Sequence, residues 1–324
     1  MACRTPPTAP FTDPPPTATR RRLLASACAA LAAPALLPRP AGAISLPHWR
    51  LATSTPGGGF ALYGETLVRL VNDRSTLMTA VPTSGTAENL ALLQAHKVHA
   101  ALVQGTVASE VLARPDADGL RIFFAMYPSP GLLAVPAASP LQRLHDVRGQ
   151  RVVFGVRSSG LVTLARQVFG SLAIDIDRDC EAVYVEQAAQ APRLVLAGEA
   201  AALWGAGEGW PGFMALAQAP GGARFIAPDV LQIDSIRRLH PHLQAMQVAA
   251  GAYPGITEPL PTVGSVNFIL VHKDQELMPV RFYAAVMKRI GPALAAALPQ
   301  AAFSTLENTR ASAPSPALLH PGVR

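Results

Sequence analysis

Cysteine is scarce in this chain: Cys3, Cys28 and Cys180 in 324 residues. The first two fall in an N-terminal stretch that reads as a leader. A mature chain would keep Cys180 alone, which excludes an internal disulfide. Without a partner motif, that cysteine reads as structural rather than reactive. Charged residues are also few, at 15%. Five arginines and a single aspartate lie before residue 44, so the remainder is nearly neutral despite the overall +6. It holds no basic run, which argues against a nucleic-acid partner. Disorder is excluded by the 50% hydrophobic content.

Motifs for common chemistries are missing too. Gly57-Gly58-Gly59-Phe60 does not fit the dinucleotide pattern G-x-G-x-x-G. Ser158 does not sit in G-x-S-x-G, because Val156 holds the first glycine position. H-E-x-x-H and C-x-x-C do not occur. His96 with His99, and His240 with His242, lack an acidic ligand at metal spacing and read as surface histidines. No cofactor is expected. An exported hydrolase with Ser158 or Ser159 as nucleophile is a rival reading, but no histidine base stands nearby in sequence.

What is present begins with the leader. Residues 1–19 are rich in Pro, Thr and Ala; Arg20, Arg21 and Arg22 precede an apolar stretch at 23–37, and Ala41-Gly42-Ala43 closes it. Positive charge, a short apolar run and an Ala-x-Ala end make an export signal, with cleavage expected after Ala43. The apolar run is about 15 residues and contains Pro34, short of the about 20 of a membrane span. The arginines after Thr19 resemble a twin-arginine signal. An uncleaved amphipathic anchor is the alternative. The expected location is periplasmic.

The mature part alternates strand-like and helix-like patterns, the mark of α/β architecture. Strands are expected at 49–53, 77–81, 100–103, 121–127, 132–136, 151–155, 182–185, 200–204, 223–227 and 264–271. Helices are expected near 61–72, 87–95, 107–113, 160–169, 188–197, 211–217, 233–239 and 279–298.

Three loops share one design: an apolar strand, then Gly, Ser or Thr, then a helix. They are 53–59, 83–86 and 158–160. A helix start offers unpaired N–H groups and a positive dipole end, and so attracts an anion. In open α/β sheets such loops lie at the carboxyl ends of strands, where ligands bind. Capping alone explains any one of these loops; three in one exported chain point to a pocket. Arg157 precedes the third loop and could pair with a ligand carboxylate or simply face solvent. Trp204 and Trp210 flank the glycine-rich stretch 205–209, and either could floor a cleft or fill a core.

Over about residues 48–310 the chain resembles the TAXI family of solute-binding proteins from TRAP transporters. Four stretches carry the resemblance: Thr55-Pro56-Gly57-Gly58-Gly59-Phe60 with Tyr63-Gly64; Thr83-Ser84-Gly85-Thr86-Ala87-Glu88-Asn89 followed by Ala101-Leu102-Val103-Gln104; Phe154-Gly155-Val156-Arg157-Ser158-Ser159-Gly160; and Ala250-Gly251-Ala252-Tyr253-Pro254-Gly255 with Pro261-Thr262-Val263-Gly264. The resemblance implies a two-lobed type II periplasmic binding protein, each lobe a mixed sheet flanked by helices with a cleft between them. Lobe 1 would comprise 44–132 and 260–324, and lobe 2 would comprise 133–259. It also implies capture of an organic acid or amino acid for an ion-driven TRAP permease. An ABC importer or a sensor is the alternative partner, and a monomer is expected. By matching position, the cleft would be lined by Gly58, Gly59, Phe60, Ser84, Gly85, Thr86, Asn89, Gln104, Tyr127, Ser158, Ser159, Gly160, Trp204 and Gly205. Family members carry Thr-Tyr-Tyr after the glycines, whereas this chain has Phe60-Ala61-Leu62-Tyr63. Either Tyr63 supplies the missing hydroxyl or the ligand is less polar.

Overall fold

The computed structural model describes residues 48–73 and 77–324. The expected leader lies outside them. In chain order the elements are β1 (Trp49–Ala52), α1 (Gly59–Val71), β2 (Met78–Val81), α2 (Thr86–Gln94), β3 (Ala100–Val103), α3 (Gly105–Leu112), β4 (Leu120–Pro136), β5 (Arg151–Gly155), α4 (Gly160–Ser171), β6 (Glu181–Tyr184), α5 (Ala191–Leu196), β7 (Ala202–Ala206), α6 (Pro211–Ala217), β8 (Ala223–Ile226), α7 (Val230–Leu239), β9 (Gln244–Val248), β10 (Leu260–His272), α8 (Leu277–Ala297) and α9 (Leu306–Ser312).

The strands run β2-β1-β3-β10-β4-β7-β5-β6, with β8 on β4 and β9 on β10. Parallel pairs β1–β2, β1–β3, β5–β6 and β5–β7 come from strand–helix–strand crossovers. Antiparallel pairs join β10 to β3, β4 and β9. This is the two-lobed α/β fold, with a mixed sheet in each lobe. One core draws on residues between Trp49 and Tyr127 and again between Val266 and Val323. Two further clusters draw on residues between Leu132 and Val263. Burying each large aliphatic side chain in these cores contributes about 2 kcal/mol.

Two strands pass through both lobes. The first part of β4 pairs with β10, and its last residues pair with β7 and β8. The two expected strands at 121–127 and 132–136 are thus one strand. Pro128, Pro130 and Gly131 masked its continuity in sequence, because such residues usually end strands. Here Ser129 pairs with Ser265 and Pro130 with Gly264 at the crossing. A Cβ at Gly264 would stand 2.3 Å from the Ser129 carbonyl oxygen, so glycine is required for the strands to meet. Thr262 Oγ1 donates to the Gly131 carbonyl at 2.6 Å beside it.

The sequence pattern also gave no hint of β9 or of the segment after α8. That segment returns to the free side of β4. The Ala125 amide donates to Thr309 Oγ1 at 2.9 Å, the His320 amide donates to the Ile122 carbonyl at 3.0 Å, and Ser304 Oγ donates to the Met126 carbonyl. An otherwise bare strand edge is therefore covered.

Candidate functional site

A cavity of about 800 Å³ of atom-free space, partly open to solvent, lies where the helices of both lobes begin. Its lining includes Gly58, Gly59 and Phe60 at the start of α1, Gly85 and Thr86 at α2, Gln104 at α3, Ser159 and Gly160 at α4, and Trp210 at α6. The backbone amides of Gly59, Phe60, Thr86 and Gly160 have no partner among the described residues. They are the orphan donors every helix start leaves, and here both lobes aim them at one space.

The loops are held by their own side chains. Ser54 Oγ accepts the Ala61 amide at 2.9 Å. Ser159 Oγ caps α4 by accepting the Leu161 amide at 3.1 Å. Gln104 caps α3 with Oε1, which accepts the Thr106 and Val107 amides at 2.8 and 3.4 Å, and its Nε2 donates to Ser265 Oγ at 3.2 Å. Asn89 is fully buried and ties three segments. Its Nδ2 donates to the Thr53 and Leu102 carbonyls, both at 2.7 Å, and its Oδ1 lies 2.6 Å from the Thr83 hydroxyl.

The lobes touch around the cavity. Ser158 Oγ donates to the Ser84 carbonyl at 3.1 Å, and the Ala188 amide donates to Thr55 Oγ1 at 3.1 Å. The Ala189 amide donates to the Pro56 carbonyl at 3.1 Å. Further out, Gln167 Nε2 donates to Glu110 Oε1 at 2.8 Å. Two glycines make the approach possible. A Cβ at Gly160 would stand 2.4 Å from the Gln104 Cβ, and one at Gly57 would stand 2.6 Å from the Ala189 Cβ.

A second group of side chains is idle. Tyr127, Ser129, Trp210 and Asn267 are each less than a tenth exposed. Asn267 Oδ1 accepts the Gly105 amide at 3.1 Å, but the Tyr127 hydroxyl, Ser129 Oγ, Trp210 Nε1 and Asn267 Nδ2 have no hydrogen-bond partner among the described residues, and all four residues line the cavity. Their residues line the cavity, so these atoms are open to a ligand or water. Burial pushes the Tyr127 hydroxyl far above its ordinary range, with Tyr63 and Tyr253 adding to the shift, so it stays a neutral donor.

Of the expected site residues, Gly58, Gly59, Phe60, Ser84, Gly85, Thr86, Gln104, Tyr127, Ser159 and Gly160 lie on the cavity wall. Six do not. Tyr63 is fully buried behind Tyr127 and donates to Ser304 Oγ at 2.9 Å, so it does not replace a ligand hydroxyl. Asn89 spends its amide on the loops. Arg157 turns outward, its side chain 67% exposed, over the Tyr184 ring at 3.7 Å and 3.8 Å from Asp177. Ser158 bridges the lobes instead of facing the cavity. Trp204 is core: its Nε1 donates to the Leu161 carbonyl at 3.0 Å and its ring meets Phe169. Gly205 packs beneath Trp210, whose ring would lie 2.4 Å from an added Cβ. Sequence reasoning missed Ser129, Asn267 and Gln300. The first two were visible as polar residues inside apolar strands; Gln300 had no local signal. Burial of Cys180 pushes its thiol up to about 11, as expected of an unreactive cysteine.

The NMT1-like family model matches residues 51–324. The chain belongs to the NMT1-like family. This NMT1-like chain superposes on a solved periplasmic transporter with a TM-score of 0.52 at 14% identity, over 80% of this chain and 88% of that one. It is also similar to the periplasmic aliphatic sulphonate binding protein SsuA from Escherichia coli (TM-score 0.48, 16% identity, 84% and 81% covered). A third similar structure is the GluR0 ligand-binding core from Nostoc punctiforme in complex with L-glutamate (TM-score 0.48, 13% identity, 76% and 97% covered). A search of curated proteins found no match. The fold is that of the type II periplasmic binding proteins. No helix among the described residues is long and apolar enough to cross a membrane.

Proposed function

We propose that this chain is a solute-binding receptor working outside the cytoplasmic membrane. It is exported by the leader at 1–43, closes a lobe of 44–132 and 260–324 against a lobe of 133–259, and traps a small organic solute bearing a carboxylate or similar anionic group. It then delivers the solute to a TRAP-type permease, as the TAXI resemblance implies. The observation that carries this reading is the convergence of the free Gly59, Phe60, Thr86 and Gly160 amides, from both lobes, on one cavity.

A carboxylate entering the cavity loses water and must regain hydrogen bonds. Each bond to a charged group returns about 1.5–3 kcal/mol. Micromolar affinity needs about 8 kcal/mol net. One loop falls short, whereas the amides of three helix starts together with the Tyr127 and Trp210 donors reach it. Hydrolysis has no support in the geometry, because the Ser158 and Ser159 hydroxyls serve the fold and no histidine lines the cavity.

Titration calorimetry against a panel of organic acids and amino acids tests the reading. A folded protein that no member of the panel stabilises or titrates would refute it. Copurification from native membranes decides the partner: a large ion-driven permease marks a TRAP system, and an ATPase-coupled one marks an ABC importer.

A further inference from the structure

We propose that Glu208 makes the cavity selective for a solute that carries a protonated nitrogen as well as its anionic group, with net charge zero. The proposal rests on the solute-binding reading and names the charge class of the ligand.

Among the described residues, Glu208 is the one Asp or Glu that lines the cavity, and no Lys, Arg or His lines it. It occupies the turn between β7 and α6, held between Gly207 at φ 98° and Gly209 at φ 65°. Both values lie in the left-handed region that glycine adopts without strain. One Glu208 carboxylate oxygen accepts the Ala249 amide at 3.1 Å; the other has no partner among the described residues. The turn lies close to further oxygens. A Cβ at Gly207 would stand 3.7 Å from Ser129 Oγ, and one at Gly209 would stand 3.3 Å from Gln300 Oε1. An ammonium has three donors and no acceptor, so a wall that carries Glu208 together with Ser129 and Gln300 suits it.

Another part of the cavity wall has the other sign. There Thr86 and Gly160 present the free amides of two helix starts. An anionic group seats there with its water replaced. A dicarboxylate would set its second charge against Glu208 with no cation on the wall to offset it. A zwitterion satisfies both parts.

The test compares matched probes by calorimetry on the full chain. Taurine is set against isethionate, β-alanine against 3-hydroxypropionate, and L-glutamine against succinate. At least one zwitterion should bind about tenfold or more tightly than its nitrogen-free counterpart, as expected for one charge-assisted contact. Glu208→Gln should remove most of that preference, chiefly by weakening the zwitterion. Glu208→Asp should retain part of it. If the nitrogen-free acids bind wild-type protein as tightly as the zwitterions, or if Glu208→Gln leaves the ratio unchanged, Glu208 does not set the charge class, although solute binding stands. If no probe of either kind binds, the solute-binding reading falls and this proposal with it.

Discussion

The two ends of the cavity are built on opposite plans. At the Gly160 end the side chains serve the protein: Asn89 clamps three loops, Gln104 and Ser159 cap helices, and only backbone amides are left for a guest. Around Tyr127, beside Gly59, the side chains of Tyr127, Ser129, Trp210 and Asn267 themselves hold spare polar atoms. The first end is rigid and general, suited to any small anion. The second end reads shape and hydrogen-bonding pattern. Substitutions at the first should therefore damage the fold or closure, and those at the second should change binding alone.

The largest effect expected is that of Asn89→Ala. It removes three hydrogen bonds that tie the Thr53, Thr83 and Leu102 segments, leaving the Thr83 hydroxyl with the Thr53 carbonyl alone to donate to, and should cost about 3 kcal/mol in urea unfolding. A loss below about 1 kcal/mol would mean that the loops hold themselves. Next is Gly160→Val, whose Cβ would intrude on Gln104 across the cleft. Opening relieves that clash, so solute affinity should fall about tenfold or more while unfolding stability changes little. Small-angle scattering should then show a larger radius of gyration with ligand present; an unchanged radius would place closure elsewhere.

Tyr127→Phe removes a hydroxyl that has no partner among the described residues. Its melting temperature should stay within about 2 °C of wild type while affinity drops about fivefold to tenfold. Equal losses in both would erase the contrast between the two ends. The smallest effect belongs to Arg157→Ala. Its outward stacking on Tyr184 is worth about 0.5 kcal/mol, and affinity should stay within about twofold. A large loss of affinity would return Arg157 to the ligand.

Much of the Gly160 end was legible in the sequence, because a strand followed by Gly, Ser or Thr and a helix is a local pattern. Gly58, Gly59, Ser84, Gly85, Thr86, Ser159 and Gly160 all sit in such patterns. The Tyr127 end was harder to read. Ser129 and Asn267 reach the cavity only because β4 and β10 meet, and Gln300 comes from beyond α8. Parity in β7 separated the two tryptophans: Trp204 points into one core while neighbouring Leu203 points into the other. Trp210, past the turn, escapes the strand and reaches the wall. Orientation likewise decided Arg157, since Asp177 in the turn before β6 and Tyr184 on β6 draw it outward.

The place of β10 between β3 and β4 governs the order in which this molecule can assemble. A nascent chain that has emerged only through β4 holds β1, β2 and β3 without the strand that joins them to β4. The inserted segment, by contrast, has β5, β6, β7 and β8 close together and can collapse early, since short loops close at little entropic cost. The lobe begun first is therefore finished last, when β10 slots into its centre and the C-terminal tail seals the edge of β4.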